Sequence, residues 1–409
     1  MRTFFRTMVS AMLVALVLPS CIQDEEPNTE CDIVSCELPE EMLVSAPKVE
    51  NDRVTLNIQP DVDISCLTPR FVLTPGATIS PANGSEQDFL NAPDHIVYYT
   101  VTSEDGQWKK SYAIRVVQVS TPSDIYGFNK TELDKNDKYS IFSELNEDGE
   151  FLMSWASGNP GFVMCGQADL KAKRQYGDAY KDHIWEFFPT SAVYPEGTIR
   201  KKVDGTTLFF KDGELAKPEY IRLVTCTTGS FGSKVGMPIA AGNIFQGFFD
   251  LSMAVPRPRE ATKFGEPYRY KPLKLSATYR FKAGEVFTDE QGNVVPGRKD
   301  IFSVYAIFFE SDANTEYIDS NVHYNDFQHP NMVALANLTD ARETGLGDGD
   351  WTSFEIDFNY YEGKTVDPEK LAKGVYKLGI VIASSAEGDY FRGAVGSTLE
   401  IKDVKVKHQ

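Results

Sequence analysis

The chain has 409 residues, with 41 Lys and Arg against 59 Asp and Glu, a formal charge of −18, and 12% aromatic side chains. Such an acidic balance disfavours nucleic acid, whose binding rests on phosphate neutralisation by basic side chains. The length holds two or three domains at about 100–200 residues each, and the absence of CxxC, HExxH and Cys/His clusters at zinc spacing argues against a structural zinc.

The N-terminus, MRTFFRTMVSAMLVALVLPSC, places two arginines before an apolar run from Met8 to Leu18 and small residues before Cys21. That is the layout of a secretory signal peptide over residues 1–20, and the run is shorter than the ~20 residues a membrane helix needs. LPSC resembles a lipobox, in which Cys21 becomes the acylated first residue of the mature chain. Behind it, IQDEEPNTE predicts a solvated acidic tether over residues 21–30. A similar stretch in Bacteroidetes lipoproteins marks export to the outer face of the outer membrane, so a lipid-anchored, cell-surface location is expected.

Residues 31–120 read as a small antiparallel sandwich of the immunoglobulin-like kind, from the short alternating runs RVTLNIQP, PRFVLTPGATI, HIVYYTVTSEDG and KKSYAIRVV. The last two form a hairpin whose turn is Asp105-Gly106, since glycine accepts the positive φ of a tight turn. Cys31, Cys36 and Cys66 lie near one another in sequence and can supply one disulfide. QVSTPSD, residues 118–124, breaks the alternation and marks a linker.

Residues 124–409 carry strand-like runs: EYIRLVTC, KLSATYRF, IFSVYAIFF, MVALANL, WTSFEIDFNY, YKLGIVIAS and TLEIKDVKV. Only LDKNDKYSIFSELN and DPEKLAKG offer helix-like patches. The expected fold is therefore all-β, a small sandwich followed by a larger jelly-roll sandwich of the carbohydrate-binding-module or glycanase type. Cys165 and Cys226 each sit in a strand-like run, and either a Cys165–Cys226 bridge or two buried thiols fits them.

Hydrolysis of a glycosidic bond usually needs two carboxylates about 5–9.5 Å apart across it. Glu355 and Asp357 alternate on one strand, but Asn359 stands where a further acid is wanted, so an outward polar face explains them better. Glu310 ends a strongly apolar strand and is the better-placed acid. His323 and His329 follow no ligand rule. Asp348, Asp350 and Asp403 leave a structural calcium as the one cofactor to consider; none other is expected. Sugar rings stack their C–H faces on aromatic side chains and bond short polar ones. That mixture occurs in SWASGNPGF (154–162), with Trp155 beside Asn159, in KDHIWEFFPTSAVYPEG (181–197), with Trp185 and Tyr194, and in TKFGEPYRYKP (262–272), with Phe264 and Tyr268.

Several segments together resemble the putative carbohydrate metabolism domain (PCMD) family of Bacteroidetes surface lipoproteins: SWASGNPGF, IRLVTCTTGSFG, PIAAGNIFQGFF, ATKFGEPYRYKPLKLSATYRFKAGE and ASSAEGDYFRGAVGSTLEIKDVKV. LTPGATISP and YTVTSEDG are likewise similar to the immunoglobulin-like N-terminal domains of such lipoproteins. The resemblance implies a glycan pocket on the larger domain. Trp155, Asn159, Asn243, Phe264, Ser384, Ser385, Asp389 and Phe391 lie in the matching motifs and are the candidate glycan-binding residues. Cys226 looks particular to this chain. The leading expectation is a lipid-anchored glycan-binding protein that captures oligosaccharide for an uptake complex. A glycoside hydrolase using Glu310 or Asp389 is the alternative, and a structural or adhesive surface protein the third. Within PIAAGNIFQGFF, read as a core strand, Asn243 is the polar exception expected to reach a pocket.

Overall fold

The computed structural model describes residues 27–118, 125–146, 149, 151–339 and 350–409. The expected signal peptide, Cys21, the first part of the tether, nearly all of the linker and Asp348 lie outside the described residues.

The N-terminal unit is a sandwich of a five-stranded sheet, in the order Lys48–Glu50, Arg53–Asn57, Lys109–Val117, Ile96–Thr102 and Thr78–Ser80, and the pair Ile33–Glu37 with Arg70–Leu73. Period-two alternation builds it: Tyr112, Ile114 and Val116 point inward, joining Val54, Leu56, Phe71, Tyr99 and Val101 in one core. The hairpin is where the sequence places it. Thr102 pairs with Lys109, Gly106 takes φ 70°, and its N–H bonds Ser103 O at 3.0 Å. The sandwich is not wholly antiparallel, however, because Arg53–Asn57 runs parallel to Lys109–Val117. A parallel pair needs a long crossover, and here the chain supplies one by first building the other strands.

The C-terminal unit stacks two sheets. One follows the order Ile199–Val203, Thr206–Lys211, Lys130–Leu133, Ser140–Leu145, Phe151–Ala156, Asn243–Phe249, Tyr376–Ala383, Ser303–Glu310, Met332–Asn337 and Asn359–Tyr360. The other is Thr190–Val193, Tyr220–Val224, Thr398–His408, Pro272–Lys282 and Thr352–Asp357. Ile244, Ile380, Ile382, Val304 and Phe308 meet Ile221, Leu275, Tyr279, Leu399 and Ile401 between them. SVYAIFF and KLGIVIA are near-continuously apolar because the outer face of the long sheet is also covered, where Phe245, Tyr305, Ile307 and Phe309 pack with Phe264, Ile318 and Phe327. The two units meet through Lys48, which is 6% exposed, pairs with Glu266 and donates to Gly247 O at 3.1 Å.

Three local expectations are corrected. LDKNDKYSIFSELN is strand, turn and strand: Ser140 pairs with Leu133, and Asp134 holds the turn by accepting the Tyr139 N–H at 3.1 Å. Its inward Ser140, Phe142 and Glu144 follow period two, not 3.6. A ten-residue helix, Gln167–Tyr176, follows SWASGNPGF unannounced, buried only through Ala168 and Ala172 at i, i+4, a stripe too narrow to register as amphipathic. Cys31, Cys36 and Cys66 are free thiols, not a source of one disulfide, and of the two alternatives for Cys165 and Cys226 it is the free thiols that are present. Cys165 lies in a turn after the Asn159–Val163 helix, not in a strand, and packs with Cys226 in one apolar cluster. DPEKLAKG does form a helix, Pro368–Ala372, with Asp367 accepting the Glu369 N–H at 2.8 Å.

Candidate functional site

At one end of the long sheet, Ala383 pairs with Asn243 on one side and Ser303 on the other. This row floors a chamber of about 190 Å³, roofed by the Asn159–Val163 and Gly229–Lys234 helices, residues 254–264, the Asn321–Tyr324 helix and the 385–391 loop. Its walls are largely apolar, with Phe162, Phe245, Phe249, Phe264 and Met237 prominent. Phe245 and Phe264 meet edge to face at 5.2 Å.

Most polar groups along the wall are already engaged. Asn159, 0% exposed, donates to Thr190 O at 2.8 Å and accepts the Thr190 N–H at 3.2 Å. Asn243 Oδ1 accepts the Gly158 N–H at 2.8 Å, and a Cβ on Gly158 would sit 3.2 Å from Asn243 Nδ2. Asn243 therefore reaches the chamber, and it also ties the first roof helix to the floor. Thr228 Oγ1 donates to Met237 O, and Ser385 Oγ to Asp300 at 2.6 Å. Asp300 also accepts from Ser397 Oγ and the Ala394 N–H, each at 2.7 Å. Burial pushes its carboxyl up in spite of these donors, and the cluster pins the loop that carries Asp389, Tyr390 and Phe391.

Two residues of the wall each carry a buried atom without a hydrogen-bond partner among the described residues: Ser303 Oγ and Asp389 Oδ1. The other Asp389 oxygen lies 3.4 Å from His323 Nδ1. Burial, and then the neighbouring Asp389, hold the Tyr305 phenol well above its ordinary value. Phe391 takes φ 58°, a left-handed conformation costly for a bulky residue and of the kind that collects at binding sites.

Pro258, Asp389 and Phe391 border both the chamber and an adjoining outer cleft of about 480 Å³. Tyr324 and Tyr390 stack there at 3.5 Å, with the Arg259 guanidinium 4.0 Å from the Tyr324 centroid. Arg392 is paired with Glu290 and Glu387, and Arg257 with Glu260. The crevice thus has an apolar inner end and an aromatic, charged outer end.

Of the sequence candidates, Asn159, Asn243, Phe264, Ser385, Asp389 and Phe391 border the chamber. Ser384 is 0% exposed beside it and bonds Thr225 Oγ1 at 2.8 Å. Trp155 does not belong there: it is 4% exposed, packs its ring against Tyr126 and Phe128, and donates Nε1–H to Glu144 at 2.8 Å. Glu310 is far from the crevice at the opposite end of its strand, paired with Lys370. Glu355 pairs with Lys274 and Lys407 on the surface, the outward polar face expected. Trp185 and Tyr194 join Phe209 in a separate cluster, and Tyr268 is core. Sequence reasoning missed Ser303, Tyr305, Tyr324, Tyr390 and Arg259, and set His323 aside as following no ligand rule. Only the adjacent aromatic and polar residues of NVHYND and GDYFR hinted at them. Among the described residues, no group of three His, Cys, Asp or Glu side chains is placed to hold a metal.

The comparisons agree with this architecture. A "putative glycoside hydrolase" from Bacteroides thetaiotaomicron VPI-5482, known as a crystal structure, is 38% identical over 95% of this chain and 99% of its own, with a TM-score of 0.76. A second protein so described, from Bacteroides vulgatus ATCC 8482, is 35% identical over 70% of this chain and 98% of its own, with a TM-score of 0.56. No curated protein matches. Residues 33–116 match the family described as "SGBP, N-terminal". Residues 127–407 match that described as "Putative carbohydrate metabolism domain", and the chain belongs to this carbohydrate-metabolism family.

Proposed function

We propose that this protein binds glycans in the crevice and, tethered to the outer membrane at the cell surface through acylated Cys21, captures them for an uptake complex. The observation that carries the reading is the outer cleft, which the stacked Tyr324 and Tyr390 line together with the Arg259 and Asp389 side chains. Sugars take such faces through C–H stacking, with charged rims bonding their hydroxyls. Asp389 is the only carboxylate among the described residues bordering the inner chamber. In the outer cleft Glu260 and Glu290 are held by arginines. A second free acid facing Asp389 is what a glycosidase would need.

Hydrolysis is the second reading, favoured by the likeness to proteins described as glycoside hydrolases, with Asp389 as its acid. A glycan array probed with residues 22–409 tests both. Binding by the wild type and by Glu310→Gln, lost in Tyr390→Ala, is expected. No bound glycan at all would refute the proposal and leave the adhesive role. Reducing-end release from a bound glycan, abolished by Asp389→Asn, would replace capture with hydrolysis.

A further inference from the structure

Resting on that reading, we infer that the glycan carries an apolar substituent of about the size of one aromatic ring, which the inner chamber takes while the sugar lies in the outer cleft. The chamber encloses about 190 Å³, and an apolar cavity of about 150 Å³ already accepts benzene. A bare pyranose suits it poorly. Its several hydroxyls each want a partner, and a buried one left without weakens binding by about tenfold or more.

The chamber has few partners to give. Asn159 and Thr190 satisfy each other, Asn243 holds Gly158, Thr228 holds Met237 O, and Ser320 holds Arg259 O. Ser303 Oγ, buried without a partner, can donate to the one linking oxygen of an ester or ether; Asp389 Oδ1 can only accept, and Tyr305 and His323 are the remaining polar side chains of the wall, too few for the several hydroxyls of a bare sugar. The partition is built into the fold: Phe162, Phe245, Phe249 and Phe264 line the chamber, the charged and stacked groups line the outer cleft, and Phe391 borders both.

Matched pairs of methyl and phenyl glycosides of glucose, galactose, xylose, mannose and N-acetylglucosamine, titrated calorimetrically into residues 22–409, test this. For at least one sugar the phenyl member is expected to bind about tenfold or more tightly than its methyl partner. That advantage should vanish in Ala383→Phe, which fills the floor, and in Ala254→Leu, which fills the roof from another element. Thermal melts of both variants show which remains folded, and a folded one is sufficient. Equal affinity within every pair overturns the inference and leaves glycan capture standing. An advantage that survives in a folded, filled variant overturns it too. Failure of every phenyl glycoside to bind also overturns it, while the array decides separately whether glycans bind at all.

Discussion

Glu144 gives the sharpest test of the fold's electrostatics. It is 0% exposed; Oε1 accepts the Trp155 Nε1–H at 2.8 Å and the Phe128 N–H at 2.9 Å, and Oε2 the Gly127 N–H at 3.1 Å. Burial outweighs these donors and pushes the carboxyl from 4.5 up to about 7. Below pH 4.5 the group is protonated in both the folded and the unfolded chain, and its stabilising contribution is complete. Between 4.5 and about 7 the unfolded chain releases the proton while the folded one keeps it, so stability falls; above 7 the loss is complete. At about 1.4 kcal/mol per pH unit, that window amounts to about 3 kcal/mol. Glu144→Gln removes the titration and keeps an acceptor oxygen. Urea denaturation of wild type and variant from pH 4 to 8 should give curves that converge toward the variant's favour by about 3 kcal/mol as pH rises. In melting temperature this is several degrees, at about 2–4 °C per kcal/mol for domains of this class. Parallel curves across the window would refute the reasoning.

Other outcomes follow from the same contacts. Trp155→Phe leaves Glu144 one donor short and should cost about 1–3 kcal/mol in chemical denaturation, with the affinity of any bound glycan unchanged, since the ring is core. Lys48→Ala leaves Glu266 facing the interface without its partner. A loss of up to about 3–5 kcal/mol is expected, with the N-terminal unit melting separately in calorimetry.

The strands were legible because β-branched and aromatic residues alternate with polar ones, and the hairpin at Asp105-Gly106 was legible from its turn chemistry. Failures came where a short local pattern competes with tertiary contact. Ser140–Leu145 looked like half a helix until the pairing with Lys130–Leu133 fixed period two. Trp155, beside a Gly/Pro-rich turn, looked exposed; its place on Phe151–Ala156 turns the indole toward the buried Glu144.

The sequence by itself determined the fold class and the motifs from which the crevice is made, because alternation, turn residues and family likeness are all local in the chain. Which of those residues meet was decided by the tertiary structure. Asn243, Ser303 and Ala383 are far apart in sequence and form one floor because their strands are neighbours in an order the chain does not follow. His323, Tyr324 and Arg259 come to Asp389 and Tyr390 across that floor. Long-range strand order rests on how two whole sheets bury their faces against each other, and no single segment carries that information.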